Sequence, residues 1–265
     1  MKFPYFCVNA FCKNSFSGNP AGVCILNDWL STDDLQKMAY QINLPETAFL
    51  FPSKGGIWSI RWFSPKLEID FCGHATLASA HVIYEQEFVD KTKEIKFASP
   101  VGKISASKVD KNSISLNLPK ITYRKSSISP VLVEGLGAYP DEIYQGKYTL
   151  CIFSDEATIE ALNPDFRILA SIANVTGIIV SAKTKKIGYH FISRFFAPRI
   201  GIDEDHVTGS AHCMLAPYWG GRLAKNKLVG WQSSIRGGEV RCEIKNERIL
   251  LCGKSETFVR GEILF

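Results

Sequence analysis

The chain has 265 residues, enough for two domains of ordinary size, with 46% hydrophobic and 22% charged residues and a formal net charge of +5. No apolar run approaches the roughly 18–20 residues of a membrane span. The basic residues are scattered apart from Lys183, Lys185 and Lys186, which read as a solvated loop rather than a nucleic-acid patch.

The N-terminus has neither the long apolar core nor the small-residue cleavage site of a secretory signal, so a cytoplasmic location is expected. Short strand signals follow at residues 8–11, 21–26, 46–51, 57–63, 94–99, 102–109 and 113–118, all apolar, β-branched or alternating. Between the second and third lies a helix signal: Ser31 and Asp34 form a capping-box-like start, Leu35, Met38 and Ile42 share a face, and Pro45 ends it. Residues 120–147 are poorer in pattern and hold Pro130, Gly135, Gly137 and Pro140, so the junction between a first domain (1–119) and a second (130–265) is placed near 119–130. The first domain may also take in the last C-terminal strand. Further strands are expected at 148–153, 176–182 and 190–198, with helix over 155–173 broken near Pro164. Three antiparallel strands end the chain, with tight turns at Asn246-Glu247 and around Gly253. The eight cysteines form no Cys-x-x-Cys pair and lie mostly in apolar stretches, which favours buried free thiols over zinc ligands or disulfides.

One internal echo stands out. Phe63–Asp70 leads to Gly73-His74-Ala75, and Phe196–Asp203 leads to Gly209-Ser210-Ala211, the second copy carrying three extra residues. Each reads as strand, Phe-x-Pro turn, glycine turn and helix. Order, spacing and residue class all agree, which points to two similar domains.

A glycine opening a helix leaves backbone N–H groups facing outward with the positive end of the helix dipole, a setting that favours a carboxylate or phosphate. Gly73 and Gly209 both stand there. Glu46 starts an apolar strand, where burial would raise its proton affinity into a range useful for proton transfer; an exposed residue at a strand end is the plainer reading of the same pattern. His74, at a helix start, is expected to be neutral. Asp205 precedes the second turn, and Ser210 follows its glycine as a capping residue or a donor to a carboxylate. Cys72 at a helix start is either an activated thiol or a small buried residue. His81, His190 and His212 read as structural and show no metal-ligand spacing.

The motifs Phe16–Val23, Leu44–Phe49, Arg61–Pro65, Asp70–Thr76, Ser193–Pro198, Gly201–Asp205, Thr208–His212 and Arg236–Gly238, in this order and over nearly the whole chain, resemble the phenazine-biosynthesis (PhzF-like) isomerases. The resemblance implies an α+β fold of diaminopimelate-epimerase type: two similar domains, each a sheet or barrel wrapped around a central helix, with the active site in the cleft between them. It implies a cofactor-independent isomerase that moves a proton on a small carboxylated substrate. Glu46, His74 and Asp205 would be catalytic; Gly73, Gly209, Ser210, Asn19 and Cys72 would bind substrate; no metal would take part. A homodimer is implied, with neither nucleic acid nor membrane as partner. The family usually has proline where this chain has His206, which reads either as a loop substitution or as a second titratable group near the site. Two other functions stay open: an amino-acid racemase or epimerase using Cys72 with His206 or Glu46, and a non-catalytic small-acid-binding protein.

Overall fold

A computed structural model describes residues 1–99 and 102–265. The elements run β1 (Lys2–Ala10), β2 (Asn19–Ile25), α1 (Thr32–Ile42), β3 (Glu46–Ser53), β4 (Ile57–Phe63), β5 (Glu68–Ile69), α2 (Gly73–Glu85), β6 (Ile95–Ser99), β7 (Gly102–Lys108) and β8 (Ser113–Pro119). They continue with β9 (Arg124–Ser126), α3 (Pro130–Leu136), β10 (Glu142–Gln145), β11 (Thr149–Phe153), α4 (Glu156–Ala161), α5 (Phe166–Ser171), β12 (Ile178–Lys183) and β13 (Phe191–Phe196). α6 (Gly209–Leu223), β14 (Lys227–Gln232), β15 (Gly238–Lys245) and β16 (Arg248–Leu264) complete the chain. Two compact units result: Met1–Leu118 with Leu250–Phe265, and Pro119–Ile249. Residues 250–265 thus fold with the first unit. The pattern-poor stretch 120–147 holds β9, α3 and β10.

In the first unit the strands follow the order β1-β2-β3-β4-β6-β7-β8-β16, and β16 pairs again with β1, from Lys2 opposite Leu264 to Ala10 opposite Ser255, so the sheet closes on itself. α2 packs against β1, β2 and β3. Its residues from Gly73 to Ala80, and Val82, Ile83 and Tyr84, are all buried. A helix that is apolar all round must be enclosed, and the closed sheet supplies the enclosure. α1 lies apart, its Leu35, Met38 and Ala39 packed with Phe3, Cys24, Leu26, Phe49 and Phe63. Ser31 caps it, accepting from the Asp34 N–H, and Asn43 ends it in the left-handed conformation at φ 54°.

The second unit repeats the connection rules. β2 and β3 are parallel, β3 and β4 antiparallel, β4 and β6 parallel. Likewise β11 and β12 are parallel, β12 and β13 antiparallel, β13 and β14 parallel. α6 packs on β14 and β15 and buries ten of its 15 residues. The Phe-x-Pro echo has a physical core in each unit. Arg61 grips Glu68 with Nε and Nη2 at 2.7 and 2.6 Å and lies over Phe63. Arg194 grips Glu204 at 2.8 and 2.9 Å and lies over Phe196. A bidentate ion pair with a ring beneath it fixes the chain's path from strand to helix.

The turn expected around Gly253 does not exist: β16 is one strand of 17 residues. The glycine serves a close approach instead. A Cβ there would lie 2.3 Å from Cδ1 of the buried Phe11 and 3.2 Å from Leu77 of α2. We expect Gly253→Val to lower unfolding free energy by about 2–3 kcal/mol through overpacking, read by urea denaturation.

Candidate active site

Parallel pairing of β2 with β3, Ala21 opposite Glu46, brings the beginnings of both strands to one end of the first unit. Asn19 opens β2, Glu46 opens β3, and Cys72 caps α2 with His74 in its first turn. All four are buried. His74 Nε2 stands 3.0 Å from Glu46 Oε2, with side-chain exposures of only 4% and 8%. Oε2 nevertheless makes no hydrogen bond. His74 Nδ1 lies 3.1 Å from Asn19 Nδ2, and Cys72 Sγ stands beside the ring, 3.4 Å from Nδ1 and 3.9 Å from Nε2. Neither Cys72 nor Thr208 caps its helix with a side-chain hydrogen bond, so the first-turn N–H groups of α2 and α6 are not taken up by their caps.

Burial works against a charged His74, but the neighbouring Cys72 and the Glu46 carboxylate 3.0 Å away outweigh it and hold the imidazole's pKa well above the ordinary histidine range. The neutral ring expected from the helix dipole alone is therefore corrected. A carboxylate at ion-pairing distance in a dry setting outweighs the partial charge of a helix end. Burial pushes the Cys72 thiol up, His74 pulls it down, and Glu46 raises it further. Cys72 is thus a protonated small residue rather than an activated nucleophile.

In the second unit, Asp205, Gly209 and Ser210 gather at the start of α6. The Thr208 hydroxyl donates to Asp205 Oδ2 at 2.5 Å. The Asp205 N–H donates to Phe195 O at 3.0 Å. Ser210 Oγ and Tyr148 OH are 2.8 Å apart. Buried Gln232 ties the segment together: its Oε1 accepts from the Thr208 N–H at 2.8 Å, and its Nε2 donates to Asp205 O at 2.9 Å. The His206 carbonyl accepts from Ser234 Oγ.

The chain matches a family model described as "Phenazine biosynthesis-like protein" over residues 8–261. It belongs to the PhzF family. Among its relatives, an uncharacterized isomerase of Halalkalibacterium halodurans is 41% identical over 268 residues, covering 100% of this chain and 99% of that protein. A PhzF-family crystal structure from Enterococcus faecalis is 37% identical, covers 100% of both chains and superposes with a TM-score of 0.94. A probable proline racemase from Agrobacterium radiobacter, 11% identical, covers 99% of this chain and 93% of its own with a TM-score of 0.69, which shows the shared epimerase-type fold. No helix among the described residues of this PhzF-family chain is long and apolar enough to cross a membrane.

Glu46, Cys72, His74 and Asn19 come together in the first unit as one cluster, and Asp205, Gly209 and Ser210 share one segment of the second. Sequence reasoning missed Gln232 and Tyr148. Tyr148 was legible only as part of a strand. Gln232 lies on β14, far along the chain from the loop it braces, with no local signal. We expect Gln232→Leu to lower stability by about 2–3 kcal/mol by orphaning the Thr208 N–H and the Asp205 carbonyl, measured by chemical denaturation.

Proposed function

We propose that this PhzF-family protein is a cofactor-independent isomerase that moves a proton on a small carboxylated substrate, with Glu46 as the acid/base. The observation that carries the reading is the buried Glu46–His74 pair. Its carboxylate oxygen Oε2 has no hydrogen-bond partner, while a cationic ring 3.0 Å away compensates its charge. An acid/base group needs an uncommitted lone pair and a partner that holds its charge steady. Glu46 takes a proton from a carbon near the substrate carboxylate and, after exchange with solvent, delivers a proton elsewhere on the same molecule. The α2 amides at Gly73 and the Asn19 side chain contribute to binding and orientation. Asp205, Gly209 and Ser210 are assigned to the same substrate by the family resemblance. The name "isomerase" carried by relatives over 99% of their length supports the reaction class.

The test is isotopic. The protein is incubated in deuterium oxide with α-amino acids and unsaturated mono- and dicarboxylic acids that raise its melting temperature. Mass spectrometry then looks for one deuterium per molecule turned over. Incorporation that vanishes in Glu46→Gln is expected. An acid that binds yet never exchanges in the wild type would make this a binding protein. Exchange lost in Cys72→Ser but kept in Glu46→Gln would make it a thiol-based epimerase.

A further inference from the structure

We propose that Glu46, Cys72 and His74 form a binding site for one divalent zinc ion. One donor atom from each residue lies within 4.8 Å of the other two, and all three residues are buried. His74 Nε2 is 3.0 Å from Glu46 Oε2 and 3.9 Å from Cys72 Sγ. Ligand atoms around a tetrahedral zinc ion stand roughly 3.3–3.8 Å apart, given bonds of about 2.3 Å to sulfur and about 2.0–2.2 Å to nitrogen and oxygen. These two spacings fall on either side of that range and the third stays within 4.8 Å, so side-chain shifts of up to about 1 Å bring three donors onto one ion.

Two further observations point to a cation. Glu46 Oε2 is buried and without a hydrogen-bond partner, so its lone pairs are available. His74 is held from the other side, with Asn19 Nδ2 3.1 Å from Nδ1. With the Asn19 amide turned so that Oδ1 faces Nδ1–H, the second ring nitrogen donates to an oxygen as it does in metal-binding histidines, which fixes the ring for coordination through the first. The donor set selects the ion. Sulfur with imidazole suits zinc and excludes magnesium and calcium, which prefer oxygen alone. A carboxylate and a thiolate also neutralise a doubly charged ion in a setting that tolerates no net charge. Binding displaces two protons, one from the Cys72 thiol and one from Nε2 of His74, and the fourth position falls to water or a substrate oxygen. Sequence spacing hid the set because Glu46 lies on a different strand from the Cys72-Gly73-His74 turn.

An ion here would take the Glu46 lone pairs, so zinc would stop proton transfer. That consequence rests on the proposed function; the binding does not. The test uses the full chain, stripped with a chelator, loaded with zinc chloride and desalted before metal analysis. Cobalt(II) serves as a spectroscopic probe. One zinc per chain is expected, along with a near-ultraviolet thiolate-to-cobalt band. Affinity should fall at least tenfold in Cys72→Ser and in His74→Asn, with folding checked by circular dichroism. The chain failing to retain zinc, cobalt binding without the thiolate band, or affinity undiminished in both variants would overturn the site; the last would place the ion on other cysteines. Deuterium exchange is read separately. Zinc bound through Cys72 with exchange intact would count against Glu46 as the base and leave the metal site standing.

Discussion

Glu46→Gln abolishes proton exchange while the protein stays folded. The amide keeps the shape of the side chain but cannot take a proton at neutral pH, so the loss is that of the acid/base contribution itself, about 10²–10⁴-fold in rate. Stability changes much less. Breaking a buried ion pair costs most where the remaining charge is trapped, but His74 can release its proton once the carboxylate is gone, and it keeps its contacts with Asn19 and Cys72. Glu46→Asp is the informative companion. It retains the carboxylate but withdraws it by one methylene, and a misplacement of about 1 Å costs about 10²-fold. Exchange is measured by mass spectrometry and folding by thermal melts. A folded Glu46→Gln protein at wild-type rate would remove Glu46 from the chemistry.

The second large effect lies in α6. His212 is fully buried, its Nδ1 donates to the Thr208 carbonyl at 2.8 Å, and burial lowers its pKa from 6.5 to about 4. In the unfolded chain the ring takes its proton near pH 6.5; in the folded chain only near 4. The unfolded state therefore binds more protons between those values. Stability from this residue is fully present above about pH 6.5 and falls as pH drops toward 4, by roughly 3 kcal/mol in all. Urea denaturation from pH 7 to pH 4 should show this slope, and His212→Gln should flatten it while lowering stability at neutral pH. An unchanged slope in the variant would assign the acid sensitivity to other groups.

Much of the architecture is legible in the sequence because its strands alternate and its two longest helices, α2 and α6, start at glycine. The Phe63 and Phe196 blocks announced a duplication, and each proves to rest on an arginine over a phenylalanine ring with a glutamate to hold it. What was hidden depends on contacts distant along the chain. Gly253 looks like a turn residue until Phe11 is seen beneath it. His74 looks neutral while only its helix is considered, and becomes cationic once Glu46 stands beside it. Glu46 itself was ambiguous: a carboxylate at the start of a strand is exposed or buried according to neighbours that local pattern does not name. α3 and the short strands around it escaped notice because elements of seven residues or fewer carry little periodicity.

The ring of strands in the first unit is sealed by β16, which is made only after the whole second unit. Residues 1–118 therefore emerge with α2 only partly enclosed and with two open strand edges, on β1 and on β8. The second unit, continuous in sequence from 119 to 249, is made whole before β16 can close the first. During synthesis the N-terminal portion is thus the late one to mature. Premature termination between residue 249 and the β1-pairing stretch that begins at Ser255 would release a polypeptide with one finished half and one unzipped half, and such a product is prone to edge-to-edge association and rapid degradation.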